Sequence, residues 1–302
     1  IETLPPDVPA PMESDSADVP EPIIDMQEIL PTEAGIAAAW ESSTDIQEMI
    51  KKSEDHQLEQ VIAPIRHLGV QVSSKVLHGT PFIGIIREVV QNGNDLVMIA
   101  AEDRRGLKNV LFGTTTMHLM RKCPCPVWVM KPDQPKQLRY ILAAIDPTIS
   151  DEERNALNFK IMDLATSLAH RERCELLVIH TWTFVAESHV RSGRIRVSKV
   201  TLDEWIDNTR LIHKRALVKL LQLYEMENLK HQVFLLKGEA ARLIPALVAA
   251  KEVDLIVMGT VCRTGVSGLL IGNTAEKVLN QVDCSVLTVK PDGFITPIKL
   301  DA

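Results

Sequence analysis

The chain repeats itself with an offset of 159 residues, and this repeat constrains the fold more than any other feature of the sequence. Without gaps, residues 95–100 (DLVMIA) align with residues 254–259 (DLIVMG), and Lys-Pro-Asp at Lys131 aligns with Lys-Pro-Asp at Lys290. Other matched pairs keep the same register: Gly79 with Gly238, Gly106 with Gly265, Gly113 with Gly272, and Cys125 with Cys284. Such self-similarity indicates a tandem duplication. It predicts a first domain over residues 1–134 and a second over residues 135–302.

The second repeat contains apolar strands that alternate with helices. Strands are predicted at 139–145, 174–181, 232–236, 254–258 and 284–289, helices at 151–172, 202–226, 239–251 and 273–281, and a polar loop at 182–200. Continuous runs of Val, Ile and Leu are typical of parallel strands that are covered on both faces. Because crossovers between parallel strands are right-handed, the pattern predicts an α/β fold with a doubly wound parallel sheet.

The first repeat matches only part of this pattern. Helices are predicted near 45–68, 80–92 and 114–122, and strands at 70–77, 95–100 and 125–130. Counterparts of the first strand and first helix are not found, and an acidic, proline-rich loop stands before residue 32. We therefore expect the first domain to lack its N-terminal β-α-β part, and the chain to be a fragment or a processed form.

The composition excludes several classes of protein. Apolar residues make up 45% of the chain, as in globular proteins, and no apolar run reaches the length of about 18 residues that a membrane-spanning helix needs. Aromatic residues make up 4%, too few for a stacking platform that binds single-stranded nucleic acid. The sequence thus predicts neither a membrane nor a nucleic-acid partner.

Charge and cysteine content bear on partners and compartment. Residues 1–50 contain twelve acidic residues and no basic ones, which indicates either a solvated arm or an acidic segment that attracts a protein partner. Five cysteines, an odd number in a chain of this size, do not indicate a disulfide framework, so a reducing cytoplasm is expected. The Cys123-Pro-Cys125-Pro stretch has no second pair of zinc ligands to match it, so no metal site is predicted.

The segment that carries chemistry is the glycine-rich stretch from Gly259 to Leu279. Ligands in open α/β sheets bind at the carboxyl ends of strands, and Gly259 stands at such an end. Gly265 and Gly268 make the following loop supple, Arg263 adds positive charge, and Gly272 opens a helix whose first N–H groups favour phosphate.

Two other interpretations of this segment stay open. Asn273 and Glu276 have the spacing of a capping box, which would satisfy the same N–H groups internally, and Gly272 could form only a tight turn. The Walker pattern and the Rossmann G-x-G-x-x-G pattern are both absent from the sequence. Hydrolysis by a P-loop mechanism is therefore not expected.

The glycine spacing resembles that of the universal stress protein family. Its nucleotide-binding members carry G-x2-G-x9-G followed by Ser or Thr, and Gly259 and Gly272 have the required separation of 13. Cys262 stands at the second glycine and Asn273 at the Ser or Thr. The stretches GTVCRTG, IGNTAE, CPCPVW and KPDGFITPIKLD resemble tandem-domain members of the family. The resemblance implies two domains of the adenine nucleotide α-hydrolase-like fold, each a parallel sheet of strand order 3-2-1-4-5.

The resemblance also implies a ligand, ATP or another adenine nucleotide, and a set of residues that contact it. Asp146 would lie near the ribose or base, Ile179 and His180 would line the base pocket, and the glycines and the helix start would contact phosphates. By position in the motif the nucleotide site comprises Asp146, Ile179, His180, Met258, Gly259, Cys262, Arg263, Gly265, Gly268, Gly272, Asn273 and Thr274.

The first repeat is interpreted as structural. Ala100 replaces Gly259, and Glu102 and Asp103 bring two carboxylates to the place of a polyphosphate, which like charges disfavour. Thr114 is interpreted as a helix N-cap. Because each last strand is apolar and stands at a sheet edge, we expect these strands to pair and form an internal pseudo-dimer.

Three functional hypotheses follow. The favoured one is a non-catalytic cytoplasmic stress protein that binds a nucleotide-like ligand in the second domain, with a homodimer or protein partner compatible with it. The second is a scaffold that binds no nucleotide, or another small ligand. The third, an enzyme of the related α-hydrolase group, is disfavoured because the H-x-G-H and S-G-G-x-D-S signatures are absent.

Overall fold

A computed structural model describes residues 33–101, 112–132, 135, 137–148, 152–260 and 272–300. The chain divides into two compact units, of which the first ends at Val76 and the second begins at Leu77. The predicted domain boundary at residues 134 and 135 thus falls within the second unit. In the described part of the chain, none of the helices combines the length and apolar character that a membrane span requires.

The described part of the first unit contains one long helix. Helix α1 spans Glu33–His67, so it begins earlier than the predicted helix at 45–68. The strand predicted at 70–77 is wrong, because residues 70–78 form neither strand nor helix. A strand persists where its backbone N–H and C=O groups meet a neighbouring strand. Within the described residues, no strand is paired with this segment, and most of its side chains are exposed.

The second unit has fourteen described elements, close to the predicted ones. The helices are α2 (Pro81–Asn92), α3 (Thr114–Lys122), α4 (Glu152–Glu172), α5 (Glu187–Arg191), α6 (Lys199–Leu221), α7 (Ala240–Lys251) and α8 (Asn273–Leu279). The strands are β1 (Val97–Ala100), β2 (Val127–Met130), β3 (Tyr140–Ala144), β4 (Glu175–Trp182), β5 (His231–Lys237), β6 (Leu255–Gly259) and β7 (Ser285–Val289). The short helix α5 interrupts the predicted polar loop, and α6 ends five residues before its predicted end.

The strands form one sheet in the order β1-β2-β7-β6-β3-β4-β5. The five strands of the second repeat are parallel to one another. Numbered within that repeat, their order is 3-2-1-4-5, as the family resemblance implies. The doubly wound parallel sheet of the second repeat is therefore confirmed.

The two repeats share this sheet through their last strands. Strands β2 and β7 pair antiparallel, with Val127 opposite Thr288 and Val129 opposite Val286. The Thr288 hydroxyl also donates to the Val127 carbonyl over 3.3 Å. The predicted pairing of the two edges is confirmed. Among the described residues the first repeat contributes two strands, so the expected pair of separate sheets is instead one mixed sheet of seven strands. We call the β2–β7 junction the seam.

Apolar side chains cover both faces of the sheet, because neighbouring residues of a strand point to opposite sides. In β3, Leu142 faces a core that includes side chains of α2, α3, α7 and α8. Its neighbours Ile141 and Ala143 face a second core, built with α4 and α6. The sheet is thus enclosed between two helical layers, which leaves the ends of its strands as the places where a ligand can enter.

Helix α7 tolerates a proline in its interior. Pro245 has no N–H to donate to the carbonyl of Ala241, four residues earlier. The side-chain amide of Gln281 donates to this carbonyl over 3.3 Å and to the Lys277 carbonyl over 2.7 Å. A residue that follows α8 therefore satisfies the backbone group that Pro245 leaves open, and it ties together two helices that border the candidate site.

Candidate functional site

A cavity of about 340 Å³ lies at the carboxyl ends of three strands of the second repeat. Strands β3, β4 and β6 provide its floor, and α4, α7 and the start of α8 provide its walls. Its lining consists of Ala144, Ile145, Asp146, Leu157, Asn158, Ile161, Ile179, Thr181, Ala240, Ile244, Met258, Gly259, Gly272, Asn273, Thr274 and Ala275. This volume falls within the range of small-molecule sites.

The cavity opens at the switch point of the sheet. From β3 the chain crosses through α4 to β4, whereas α7 leads from β5 back to β6 on the other side of β3. Because α4 and α7 cover opposite faces, they diverge above the ends of β3 and β6 and leave a crevice. Open α/β sheets bind ligands at this point.

Two asparagines of α4 hold the turn that follows β3. The Asn158 side-chain oxygen accepts a hydrogen bond from the Asp146 amide over 2.8 Å. Asn155 accepts from the Thr148 amide over 3.1 Å and donates to the Thr148 carbonyl over 2.7 Å. Sequence analysis missed both residues. Their spacing of three on a helix that follows the turn is the signal that could have found them.

Gly259 lies at the end of β6 with a side chain of α4 packed against it. A Cβ at this position would lie 2.7 Å from Leu157 Cδ2 and 3.7 Å from Ile161 Cδ1. The absence of a side chain therefore makes room for Leu157 as well as for a ligand. Leu157 is among the lining residues that sequence analysis missed, because nothing in its local pattern separates it from an ordinary core leucine.

The start of α8 forms the wall next to Gly259. Gly272 is the N-cap, and Asn273 and Thr274 are the first helical residues, whose N–H groups lack partners within the helix. The Gly272 amide donates to the Thr260 carbonyl over 2.9 Å, which brings together the two ends of the glycine-rich segment. Residues 261–271 lie outside the described part of the chain.

The capping-box interpretation of this helix is wrong. Asn273 is inside the helix instead of at its cap. The Glu276 carboxylate, which the box would direct to the cap N–H, is 2.6 Å from the Arg121 guanidinium in the first repeat. An ion pair across the repeats thus takes the place of the predicted internal cap. The predicted Thr114 N-cap is also wrong, because Gly113 is the N-cap of α3 and Thr114 is its first helical residue.

The structure separates two neighbours that were assigned together to the base pocket. Ile179 lines the cavity, whereas His180 is fully buried and is not among the lining residues. The His180 ring lies 2.8 Å from the His213 ring of α6, measured from Nε2 to Nδ1, and its Nδ1 lies 3.7 Å from an Asp146 carboxylate oxygen. Adjacent strand residues point to opposite faces, so the next side chain on the cavity face is Thr181.

Seven of the twelve predicted site residues meet around this cavity: Asp146, Ile179, Met258, Gly259, Gly272, Asn273 and Thr274. Four more, Cys262, Arg263, Gly265 and Gly268, fall outside the described residues, as do Glu102 and Asp103 of the first repeat. Asp146 is the one ionisable side chain among the described lining residues. The described lining therefore contains the backbone N–H groups at the start of α8 and no cationic side chain.

Fold and cavity together define a class: an α/β protein with a doubly wound parallel sheet and a small-molecule cavity at its switch point. A sequence model of the universal stress protein family matches residues 28–131 and 138–290. The chain therefore belongs to the universal stress protein family, with two copies of the family domain in tandem. The two matched regions correspond to the two halves of the internal repeat.

Named relatives resemble the chain over most of its length. Universal stress protein E of Escherichia coli K12 is 36% identical over 239 residues, which cover 77% of this chain and 72% of the relative. A homolog of that protein in Haemophilus influenzae is 25% identical over 83% of this chain and 80% of its own. A crystal structure from Pseudomonas aeruginosa UCBPP-PA14, titled as a universal stress protein, superimposes with a TM-score of 0.64 at 27% identity, covering 80% of this chain and 79% of that one.

Proposed function

We propose that the second repeat binds a nucleotide-like ligand of the ATP or AMP class and that the protein serves a stress response without catalysing a reaction. The observation that carries this proposal is the cavity at the switch point, which Gly259 and Gly272 of the family's glycine motif both line. The spacing of these glycines supports a nucleotide over other small ligands, since it follows the family's nucleotide-binding pattern.

The walls of the cavity suit the parts of such a ligand. Apolar side chains, among them Ile179, Ile244 and Met258, offer a surface for a base. Asp146 stands beside them as an acceptor for ribose hydroxyl groups, and the α8 start offers N–H groups to phosphate. Arg263 is proposed to add positive charge from the glycine-rich segment.

A non-catalytic role fits the chemistry of the lining. Phosphoryl transfer depends on cationic groups or metal ions placed at the transferring phosphate, and the Walker lysine is absent from the sequence. Asp146, the one ionisable side chain among the described lining residues, follows the end of β3 together with Ile145. Binding without turnover is what this arrangement supports best.

A contact between the two repeats beside the cavity suggests how binding acts. Gly259 lines the cavity, and the next residue, Thr260, donates from its hydroxyl to the Met120 carbonyl of the first repeat over 3.3 Å. Thr260 also accepts from the Gly272 amide, at the phosphate end of the cavity. We propose that the ligand biases the contact between Thr260 and α3 of the first repeat, and with it the binding of a partner. Four described cysteines are free thiols, which supports a reducing compartment such as the cytoplasm.

Equilibrium dialysis of the full chain against labelled ATP tests this function. Thr181→Phe places a ring in the cavity and is expected to abolish retention of the label. Thr183→Phe is the matched control, because residue 183 is exposed and is not among the lining residues. Equal binding by both variants would place ATP elsewhere, and no binding by the unmodified chain would favour the alternative function, a structural or regulatory scaffold.

A further inference from the structure

Two thiols lie side by side at the junction of α3 and β2. The Sγ atoms of Cys123 and Cys125 are 3.5 Å apart, within hydrogen-bonding distance for sulfur. We propose that these cysteines are a redox-active dithiol, which a low-molecular-weight disulfide such as oxidised glutathione converts to an intramolecular disulfide. The proposal concerns a modification site in the first repeat and does not rest on nucleotide binding in the second.

The backbone holds the two thiols in place on both sides. The Cys123 amide donates to the Leu119 carbonyl over 2.9 Å, so Cys123 closes the last turn of α3. Pro124 restricts the backbone between the cysteines, and β2 begins two residues after Cys125. A disulfide bond of about 2.05 Å then needs the sulfur atoms to approach by roughly 1.5 Å, a shift that side-chain rotation can supply.

The internal repeat shows that this pairing is specific to one half of the chain. Cys125 aligns with Cys284, but Cys123 aligns with Val282. Cys284 is buried in the core, and burial raises the pKa of its thiol to about 12. The second repeat thus contains an inert thiol where the first contains a pair, and it supplies an internal control.

The two thiols differ in access to solvent. Cys123 is completely buried, whereas Cys125 is partly exposed. The hydrogen bond from the Cys123 thiol stabilises the Cys125 thiolate and lowers the pKa of Cys125. That same bond, together with burial, raises the pKa of Cys123. Because the thiolate is the attacking species, Cys125 reacts first with an external disulfide and Cys123 reacts second.

The reaction then balances in two steps. In the first, the Cys125 thiolate attacks oxidised glutathione, an S–S bond forms between Cys125 and one glutathione, and the other glutathione leaves as a thiolate. In the second, Cys123 loses its proton and attacks the Cys125 sulfur, which releases the second glutathione thiolate. The two protons that the cysteines release to solvent are matched by the two that the glutathione thiolates take up. Two cysteine thiols are oxidised and one glutathione disulfide is reduced to two glutathiones.

Mass spectrometry of the full chain can follow this chemistry. After exposure to oxidised glutathione, acid quenching and alkylation of the unfolded protein, trypsin cleavage after Lys122 and Lys136 releases residues 123–136, because Pro132 blocks cleavage after Lys131. This peptide contains both thiols and no other cysteine. The expected product is a peptide two hydrogen atoms lighter than the dithiol form and without alkyl groups, which dithiothreitol restores.

Three variants assign the roles of the thiols. Cys123→Ser is expected to accumulate glutathione on Cys125, and Cys125→Ser to leave Cys123 in its thiol form. Cys284→Ser, the control, should form the internal disulfide as the unmodified chain does. Recovery of a doubly alkylated peptide from the oxidised unmodified chain would overturn the proposal. A glutathione adduct that does not go on to the internal disulfide would also overturn it, and so would a disulfide between either cysteine and Cys262. Circular dichroism checks that each variant folds. If a variant does not fold, the mass measurements on the unmodified chain decide whether the proposal holds.

Discussion

The Asn158 side-chain oxygen lies 2.8 Å from the Asp146 backbone nitrogen and accepts its hydrogen bond. Asn158 is 4% exposed and belongs to α4, whereas Asp146 follows the end of β3. The turn that contains Asp146, the acidic residue of the cavity, is therefore held in place by a side chain of helix α4. This arrangement predicts that stability and ligand affinity depend together on one buried amide side chain.

Replacing Asn158 by alanine should lower the free energy of unfolding by about 1 to 3 kcal/mol, because the Asp146 amide loses its partner in a partly buried place. Urea unfolding followed by circular dichroism measures this change. Asn228→Ala is the matched control at an exposed position, with an expected change within about 0.5 kcal/mol. Equal effects of the two substitutions would mean that the turn after β3 is stable without Asn158.

The contact between Gly259 and Leu157 predicts a second, paired effect. In Gly259→Ala the new methyl group would meet Leu157 Cδ2 at 2.7 Å, so the leucine must move. Because this atom is the end of a flexible side chain beside the cavity, the cost in stability should be modest, about 1 kcal/mol. The displaced side chain takes up cavity space and should weaken ATP binding.

Leu157→Ala in the Gly259→Ala background tests that explanation. Removing the displaced side chain should restore ATP binding in dialysis, at a further loss of stability from the smaller core residue. Weak binding that persists in the double variant would show that Gly259 acts through its backbone instead of through Leu157.

Substitutions in the glycine motif test the phosphate end of the cavity. Cys262→Gly restores the second glycine of the family motif and should strengthen ATP binding about tenfold, since one unobstructed hydrogen bond contributes about 1 to 3 kcal/mol. Gly272→Val places a β-branched side chain at the start of α8 and should abolish binding. Titration calorimetry measures both. Weaker binding by Cys262→Gly, or unchanged binding by Gly272→Val, would contradict the assignment of this segment to the ligand.

The repeat and its apolar strands predicted the sheet of the second half well, because buried parallel strands are continuous apolar runs whose ends are marked by charged or glycine residues. They did not predict which side of a strand a residue faces when both sides are buried. His180 illustrates this limit: both neighbours in the sequence are compatible with a core, and only the packing of His213 shows its direction.

Contacts between residues that are far apart in the sequence could not be predicted either. The capping box at Asn273 and Glu276 failed because Arg121, more than 150 positions away, competes for the same carboxylate. The strand predicted at 70–77 failed because a strand depends on neighbours as well as on its own composition. The asparagines of α4 were missed since a helix pattern shows which residues share a face, but not which turn they reach.

Amide hydrogen exchange should separate the two halves of the chain. Strand β6 is paired on both sides, with β3 and β7, and should exchange slowly. Residues 70–76 form no regular secondary structure and should exchange rapidly. Strand β1, paired with β2 alone among the described residues, should lie between them. Protection of residues 70–76 equal to that of β6 would indicate that this segment pairs in solution.

The buried amine of Lys290 predicts a characteristic dependence of stability on pH. Burial lowers the pKa of Lys290 from its usual 10.5 to about 7 in the folded protein. Between these values the unfolded chain binds a proton that the folded protein does not, so the free energy of unfolding should rise with pH by up to roughly 1.4 kcal/mol per pH unit. Below pH 7 both states carry the proton, so the gain in the free energy of unfolding that deprotonation of Lys290 brings is fully lost.

Comparison with Lys290→Met isolates that contribution, because the other titrating groups are the same in both proteins. The difference in unfolding free energy between variant and unmodified chain should favour the variant most below pH 7 and shift toward the unmodified chain as pH approaches 10. Loss of the hydrogen bonds to Met120 and Thr260 adds a constant offset and leaves the slope intact. The hydrogen bond with Cys125 and burial raise the pKa of the Cys123 thiol, which is present in both proteins. Denaturant unfolding at several pH values measures the slope, and a difference independent of pH would show that Lys290 remains charged in the folded protein.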